Sequence, residues 1–151
     1  MGDAYSWLKF IHVVAIAGWL GGFAAITILN GVASRQADAH NVTHFVAYAQ
    51  VLGARLVGPA SGLALLAGVA GMLVGHLSMQ TWIVWGIAAV VLFIAIGVIA
   101  LRPILNRLAA AAAAGASPAE LRPLLRRQRL LLVINLLVLL SALWVMVVKP
   151  A

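Results

Sequence analysis

Four long apolar runs, separated by stretches of more polar or amphipathic sequence, dominate the chain. The first covers residues 7–29, and within it only Lys9, His12 and Thr27 are polar. A helix of that length, rising ~1.5 Å per residue, crosses the ~30 Å hydrocarbon core of a bilayer. The other runs fall at about 54–77, 82–101 and 130–148. The second is preceded by an amphipathic lead-in at helical spacing (Val42, Phe45, Val46, Ala49, Leu52), so one long helix is expected whose first turns stand outside the membrane. Pro59 removes an internal hydrogen bond and predicts a kink. Only Gly75–Thr81 joins the second run to the third, which makes those two helices an antiparallel hairpin. The third continues through Arg102–Ala109 into an alanine tract, also expected to be helical, and Gly115 ends it. Ser117-Pro118-Ala119-Glu120 then reads as a helix start: serine caps, proline takes the first turn, and glutamate returns a bond to the cap. The pattern therefore predicts one transmembrane domain, 1–151, all-α: an up-down-up-down four-helix bundle with helices extended beyond the membrane at one end.

Small residues mark the expected contact faces. Gly18 and Gly22 form a GxxxG step in the first run, and Gly58, Gly62, Gly68, Gly71 and Gly75 line the second. In lipid such residues let helices approach closely, where packing rather than water exclusion supplies cohesion.

Composition sharpens the class. Hydrophobic residues make up 65% of the 151 and charged residues 9%, against about 45–50% and ~25% in soluble domains. The chain has no cysteine, which excludes disulfides, thiolate-held iron–sulfur clusters and thiol catalysis. The start does not read as a signal peptide, since its one early charge is Asp3 and the apolar run is too long. Ten Lys/Arg against three Asp/Glu give a net charge of +7. Because those cations flank apolar spans, the expected partners are anionic membrane lipids and not nucleic acid. Eight arginines (35, 55, 102, 107, 122, 126, 127, 129) fall at the end of the bundle formed by the first and third connections, and only Lys9 and Lys149 at the other. The positive-inside rule then puts both termini on the exterior or periplasmic side and the first and third connections in the cytoplasm.

The candidate chemistry centres on His12, an imidazole more than one turn inside a span, where ionisable groups mark function by default. Neutral imidazole ligates haem iron or copper without help from cysteine. His76, at the same end, is the expected second ligand, and Trp19 and Gly22 are the expected neighbours of a flat cofactor, with space at Gly18 and Gly21. Trp85 is a further candidate to flank a planar ligand, and Lys9 and Lys149 would pair with propionates. The bland reading of His12 is a histidine bonded to a backbone carbonyl or a neighbouring helix. His40 and His44, four apart, share a helical face at the opposite end, a weak metal signal with only Asp38 nearby. Trp7, Trp82 and Trp144 fit interfacial anchors, and Asn135 and Ser141 fit donors of interhelical bonds. No Asp or Glu lies inside a span, so the carboxylate relay of an ion-coupled transporter is missing. Nor is there a phosphate loop, dinucleotide fingerprint or nucleophile–base pair.

The opening, Trp7-Leu-Lys-Phe-Ile-His12 to Trp19-Leu-Gly21-Gly22, resembles the first span of several small bacterial membrane proteins. These are the HemJ-type protoporphyrinogen oxidases, the membrane domain of the copper-resistance protein D family, and an uncharacterised family of predicted integral membrane proteins of this size. The ending Leu143-Trp-Val-Met-Val-Val-Lys149-Pro150 and the placement of Arg55 and Pro59 are similar too. The HemJ-type resemblance implies haem or porphyrin chemistry at His12. The lysine those proteins carry early in the third span has no counterpart, and Gly86 stands near its place, which counts against protoporphyrinogen oxidation. The likeness to the third family implies a fold rather than an activity. Three functions follow as expectations: b-type haem bound at His12 in a redox or accessory role, in which case an enzyme would be a haem-dependent membrane oxidoreductase; a structural subunit of a larger membrane complex or homo-oligomer; or a carrier of copper or a small molecule.

Overall fold

The computed structural model describes residues 2–149, so Pro150 of the closing motif lies outside the described residues. Every described element is helical: α1 (Gly2–Gln36), α2 (Ala39–Leu52), α3 (Gly58–Val74), α4 (Thr81–Ala95), α5 (Arg102–Ala113) and α6 (Pro118–Val148). A π-helical turn of five residues, Gly53–Val57, welds α2 to α3, and one of six, Ile96–Leu101, welds α4 to α5. Four continuous rods result, Asp3–Gln36, Ala39–Val74, Thr81–Ala113 and Pro118–Val148, each long and apolar enough to cross a membrane. At ~1.5 Å per residue the 35 residues of α1 run about 52 Å, well past the hydrocarbon thickness. The all-α four-helix membrane bundle is what the hydrophobic pattern predicts.

The boundaries differ from expectation in an informative way. The first rod does not stop near residue 30; α1 continues to Gln36, and only Ala37 and Asp38 separate it from α2. Ala37 ends α1 in the left-handed region (φ 55) while fully buried. Asp38 then caps α2, its carboxylate accepting the Asn41 backbone N–H at 2.9 Å, which holds its pKa below the usual aspartate range. At the far end of the second rod the helix ends at Val74 and not Leu77. His76 occupies the left-handed position (φ 49), with His76 N–H bonded to Leu73 O and Leu77 N–H to Met72 O. That bond pair is a Schellman termination, in which histidine stands where glycine usually does. The Ser117 capping box forms as read, Glu120 accepting both the Ser117 backbone N–H and its hydroxyl at 2.8 Å.

The two π turns have one cause. Gly58 N–H bonds to Gly53 O and Arg102 N–H to Gly97 O, each five residues back, and each donor directly precedes a proline, Pro59 or Pro103. Proline has no N–H and its ring crowds the carbonyl four residues earlier; a wider turn moves that carbonyl aside. The shared Gly-x5-Pro spacing makes it the same device twice.

Around α1 the other rods are distributed by side-chain size. Against the second rod a glycine on one side or the other allows close approach, Gly18 and Gly22 of α1 or Gly68, Gly71 and Gly75 opposite it; against α6 and α4 it presents Asn30, Trp19 and Phe23. The buried positions of α6 (Leu121, Leu125, Gln128, Leu132, Asn135, Leu139) repeat at spacings of four and three, the heptad of a left-handed bundle. At the arginine-bearing end α2 packs on α5, and Val42, Leu108, Leu121 and Leu125 are wholly buried there. Large apolar residues such as Leu66, Ile99 and Val147 stay exposed, forming the belt a membrane covers.

Candidate functional site

The α1–α3 seam is built on substitutions of space for side chain. Tyr5 lies over Gly75, where an added Cβ would sit 2.8 Å from the ring, and Leu8 lies over Gly71. One turn further on, His12 fills the notch at Gly68: a Cβ there would meet His12 Cε1 at 2.9 Å and Nδ1 at 3.1 Å. Gly18 meets Ala60 and Leu56, and Gly22 is sealed by Leu56 and Val57, each 3.0 Å from a Cβ at that position. The glycines of the second rod that meet a neighbour across the bundle therefore face α1 of the same chain. Gly21 and Gly62, by contrast, are exposed with open space around them.

His12 is half-buried, and its Nδ1 is 2.6 Å from Ala64 O in α3. A carbonyl only accepts, so Nδ1 carries the proton and donates it, leaving the lone pair on Nε2. Ala64 O already accepts the helical N–H of Gly68, and the imidazole uses its second lone pair. The bond satisfies a polar group that would be costly to leave unpaired in an apolar bundle. It also fixes the register of α1 against α3.

The residues expected to share a cofactor site with His12 each have contacts or backbone roles of their own. His76 is exposed beyond α3, next to the Gly75 that Tyr5 covers, and Tyr5 is two turns, about 10 Å, from His12 along α1. Its backbone role as a left-handed helix terminator accounts for a histidine there. Trp19 is 4% exposed and packs edge-on to Phe93, centroids 4.8 Å apart, with Phe23 against the same ring at 5.0 Å. Trp85 is exposed on α4. Gly22 has no space left over it, because Leu56 and Val57 occupy it. Lys149 lies over the Trp82 ring at 5.3 Å, a cation–π contact that ties the end of α6 to the start of α4. Trp7 and Trp144 are exposed at that same end, as interfacial anchors require. His40 and His44 do meet edge to face, centroids 4.5 Å apart, on the exposed face of α2, but Asp38 is turned to Asn41, and no group of three metal-ligating side chains occurs among the described residues.

Sequence reading missed the polar core of the α1–α6 seam. Asn30 (0% exposed) donates its amide to Gln128 Oε1 (2% exposed residue) at 3.4 Å, and Ser34 donates to Asn30 O at 2.7 Å. Deeper, Asn135 donates to Phe93 O at 3.3 Å, the interhelical bond expected of it, while Ser141 bonds back to Val138 O within its own helix instead. Two buried polar atoms in this region, Trp19 Nε1 and Asn135 Oδ1, have no partner. The heptad on α6 contains the signal for Gln128 and Asn135, since both fall on its buried register.

These features describe a bundle held by interhelical notches, amide pairs and an imidazole bridge. No curated protein sequence and no solved structure matches the chain. A family model described as a predicted integral membrane protein (DUF2269) matches residues 6–150, almost the entire chain, and the protein belongs to that family.

Proposed function

We propose that the chain is a non-catalytic membrane bundle, an accessory or structural subunit that acts through its assembly with other membrane components. The observation that carries this reading is the His12 bridge. The one imidazole inside a span is engaged by Ala64 O and seated on Gly68, Trp19 packs on Phe93, and Leu56 and Val57 fill the space over Gly22. Its work is to hold α1 on α3. A second reading is favoured by the same bond. With Nδ1–H given to a carbonyl, Nε2 has the tautomer of a histidine that ligates haem iron or copper, and the carbonyl orients the ring as such second partners do. The first-span likeness to HemJ-type and copper-resistance proteins points the same way. For that reading only His12 supplies a ligand from this chain, and a second would come from a partner.

One experiment separates the two. The protein is expressed with haem available, and reduced-minus-oxidised spectra and thermal midpoints are recorded for the native chain and His12→Ala. The bridge reading expects no haem bands in the native protein and a lowered midpoint in the variant, a loss of about 1–3 kcal/mol with the buried hydrogen bond. Haem bands that vanish in a folded His12→Ala variant would instead establish the ligand role.

We further propose that the arginine-bearing end is cytoplasmic in a bacterial inner membrane, with both termini outside; the eight-to-two asymmetry of Lys and Arg supports this. Reporter fusions after Ala151 and within residues 109–117 are expected to report opposite sides, exterior and cytoplasmic. Signals from one side only would overturn the four-span topology.

A further inference from the structure

The most highly charged feature of the surface lies away from His12. Arg122, Arg126 and Arg129 follow one stripe of α6, Arg127 stands beside them, and together with Ser34 of α1 they line an open groove of about 940 Å³. All four arginines are exposed, and among the described residues none makes an ion pair. The chain has only three acidic residues. Asp3 starts α1 at the opposite end; Asp38 is engaged by Asn41, and Glu120 by Ser117. Four guanidinium groups thus crowd within about 10 Å of helix with no carboxylate to balance them. Like charges so placed repel, and the arrangement calls for an anion from outside the chain.

The groove's other end names the kind of anion. Leu130 and Val133 continue the same stripe, both are exposed, and both line the groove beyond the arginines. From Leu130 onward α6 carries no charge until Lys149. The surface passes within one turn from cationic to apolar, at the level where a headgroup gives way to acyl chains. Ser34 donates its hydroxyl proton to Asn30 O, so it forms wall and leaves the phosphate-binding donors to the arginines, whose planar forks suit phosphate oxygens. Behind the stripe, Gln128 is buried against Asn30, which pins this part of α6 to α1 and holds the groove in shape.

We infer that the Ser34–Arg122–Arg126–Arg129 groove between α1 and α6 is a binding site for an anionic phospholipid, its phosphate held by the arginines and its acyl chains laid along Leu130 and Val133. The inference rests on the membrane placement of the bundle and is independent of what His12 does. Charge and apolar surface in one continuous groove favour a lipid over a free phosphate, which would use only the charged half.

The test uses the full chain in nanodiscs of mixed phosphatidylglycerol and phosphatidylcholine, with retained lipid identified by native mass spectrometry after release. The wild-type protein is expected to keep phosphatidylglycerol in preference to phosphatidylcholine. Arg122→Gln/Arg126→Gln/Arg129→Gln is expected to weaken that retention on the order of 100-fold, taking each arginine at its usual contribution near a membrane surface. Arg102→Gln/Arg107→Gln, on α5 at the same end but outside the groove, is the control and should retain lipid as wild type does. Absence of headgroup preference in the wild type overturns the proposal without reference to any variant. So does equal loss in the control pair, which would reveal a diffuse charge effect. Inorganic phosphate displacing the lipid at comparable concentration would make the site a free-anion site, and a lipid-free dimer burying the groove would make it an interface between copies.

Discussion

Leu125→Ala is expected to cost about 2–5 kcal/mol of stability. Leu125 is fully buried on the heptad face of α6, in the cluster with Val42, Leu108 and Leu121. The surface at this level carries Arg107, Arg122, Arg126 and His40, so the outer medium here is water or headgroups and not hydrocarbon. Unfolding this end transfers leucine into water, and truncation loses that transfer term together with the contacts around the cavity. Leu139 is nearly as buried, at 6% exposed, on the same face of α6 but among apolar neighbours. There, separation of the helices hands the side chain to lipid, which solvates it almost as well as protein does; only packing is lost. Thermal midpoints of the two alanine variants in one detergent should therefore differ, with Leu125→Ala the lower. Equal losses would mean that the arginine-bearing end has no aqueous surround, and the picture of a bundle taller than its membrane would fail.

The same division between water and lipid explains how much of the molecule could be read beforehand. Apolar runs reveal spans because lipid demands them along the whole length of a rod, and the Ser117–Glu120 box reveals a helix start because its chemistry is local. Contacts between rods are different. In a membrane both the buried and the lipid-facing sides of a helix are apolar, so periodicity that would betray a core face in water is muted. Polar residues on the buried face escape this, and Gln128 and Asn135 fall in step with Leu121, Leu125, Leu132 and Leu139. Gln128 was masked by the arginines on either side, and Asn30 by its likeness to a loop signal before Gly31. His12 drew attention correctly as an imidazole in a span. Its partner, a backbone carbonyl 52 positions away over a glycine notch, has no local sequence signature. At His76 side-chain chemistry suggests a ligand, while its backbone role as a left-handed terminator has no signature in the sequence. The haem grouping of His12, His76, Trp19 and Gly22 relied on a shared end of the bundle, and helical spacing relates faces within one rod but not between two rods.

Gly21 and Gly22 put that last point to a direct test, because adjacent glycines of one motif are expected to respond oppositely to the same substitution. Gly22 is buried, and a Cβ added there would lie 3.0 Å from both Leu56 Cδ2 and Val57 Cγ2. Those neighbours belong to the π turn that precedes Pro59, where the backbone has least freedom to yield. Gly22→Ala already forces a shift of a few tenths of an ångström. Gly22→Leu must part α1 from the second rod along the seam that also seats His12 on Gly68, and overpacking of this kind costs about 1–3 kcal/mol or more. Gly21 is exposed, and nothing lies within 4 Å of the position its Cβ would take. Leucine there meets only the surrounding lipid or detergent and replaces the residue with nearly the poorest helix propensity, so Gly21→Leu should be neutral or stabilising by up to about 1 kcal/mol. Thermal midpoints of the two leucine variants decide it. If they fall together, or if Gly21→Leu is the worse, the face of α1 that meets the second rod is misassigned, and with it the seat of His12. A fall confined to Gly22→Leu shows that α1 is held by a steric fit between its small residues and one turn of the neighbouring rod, with the imidazole bridge as its second point of attachment.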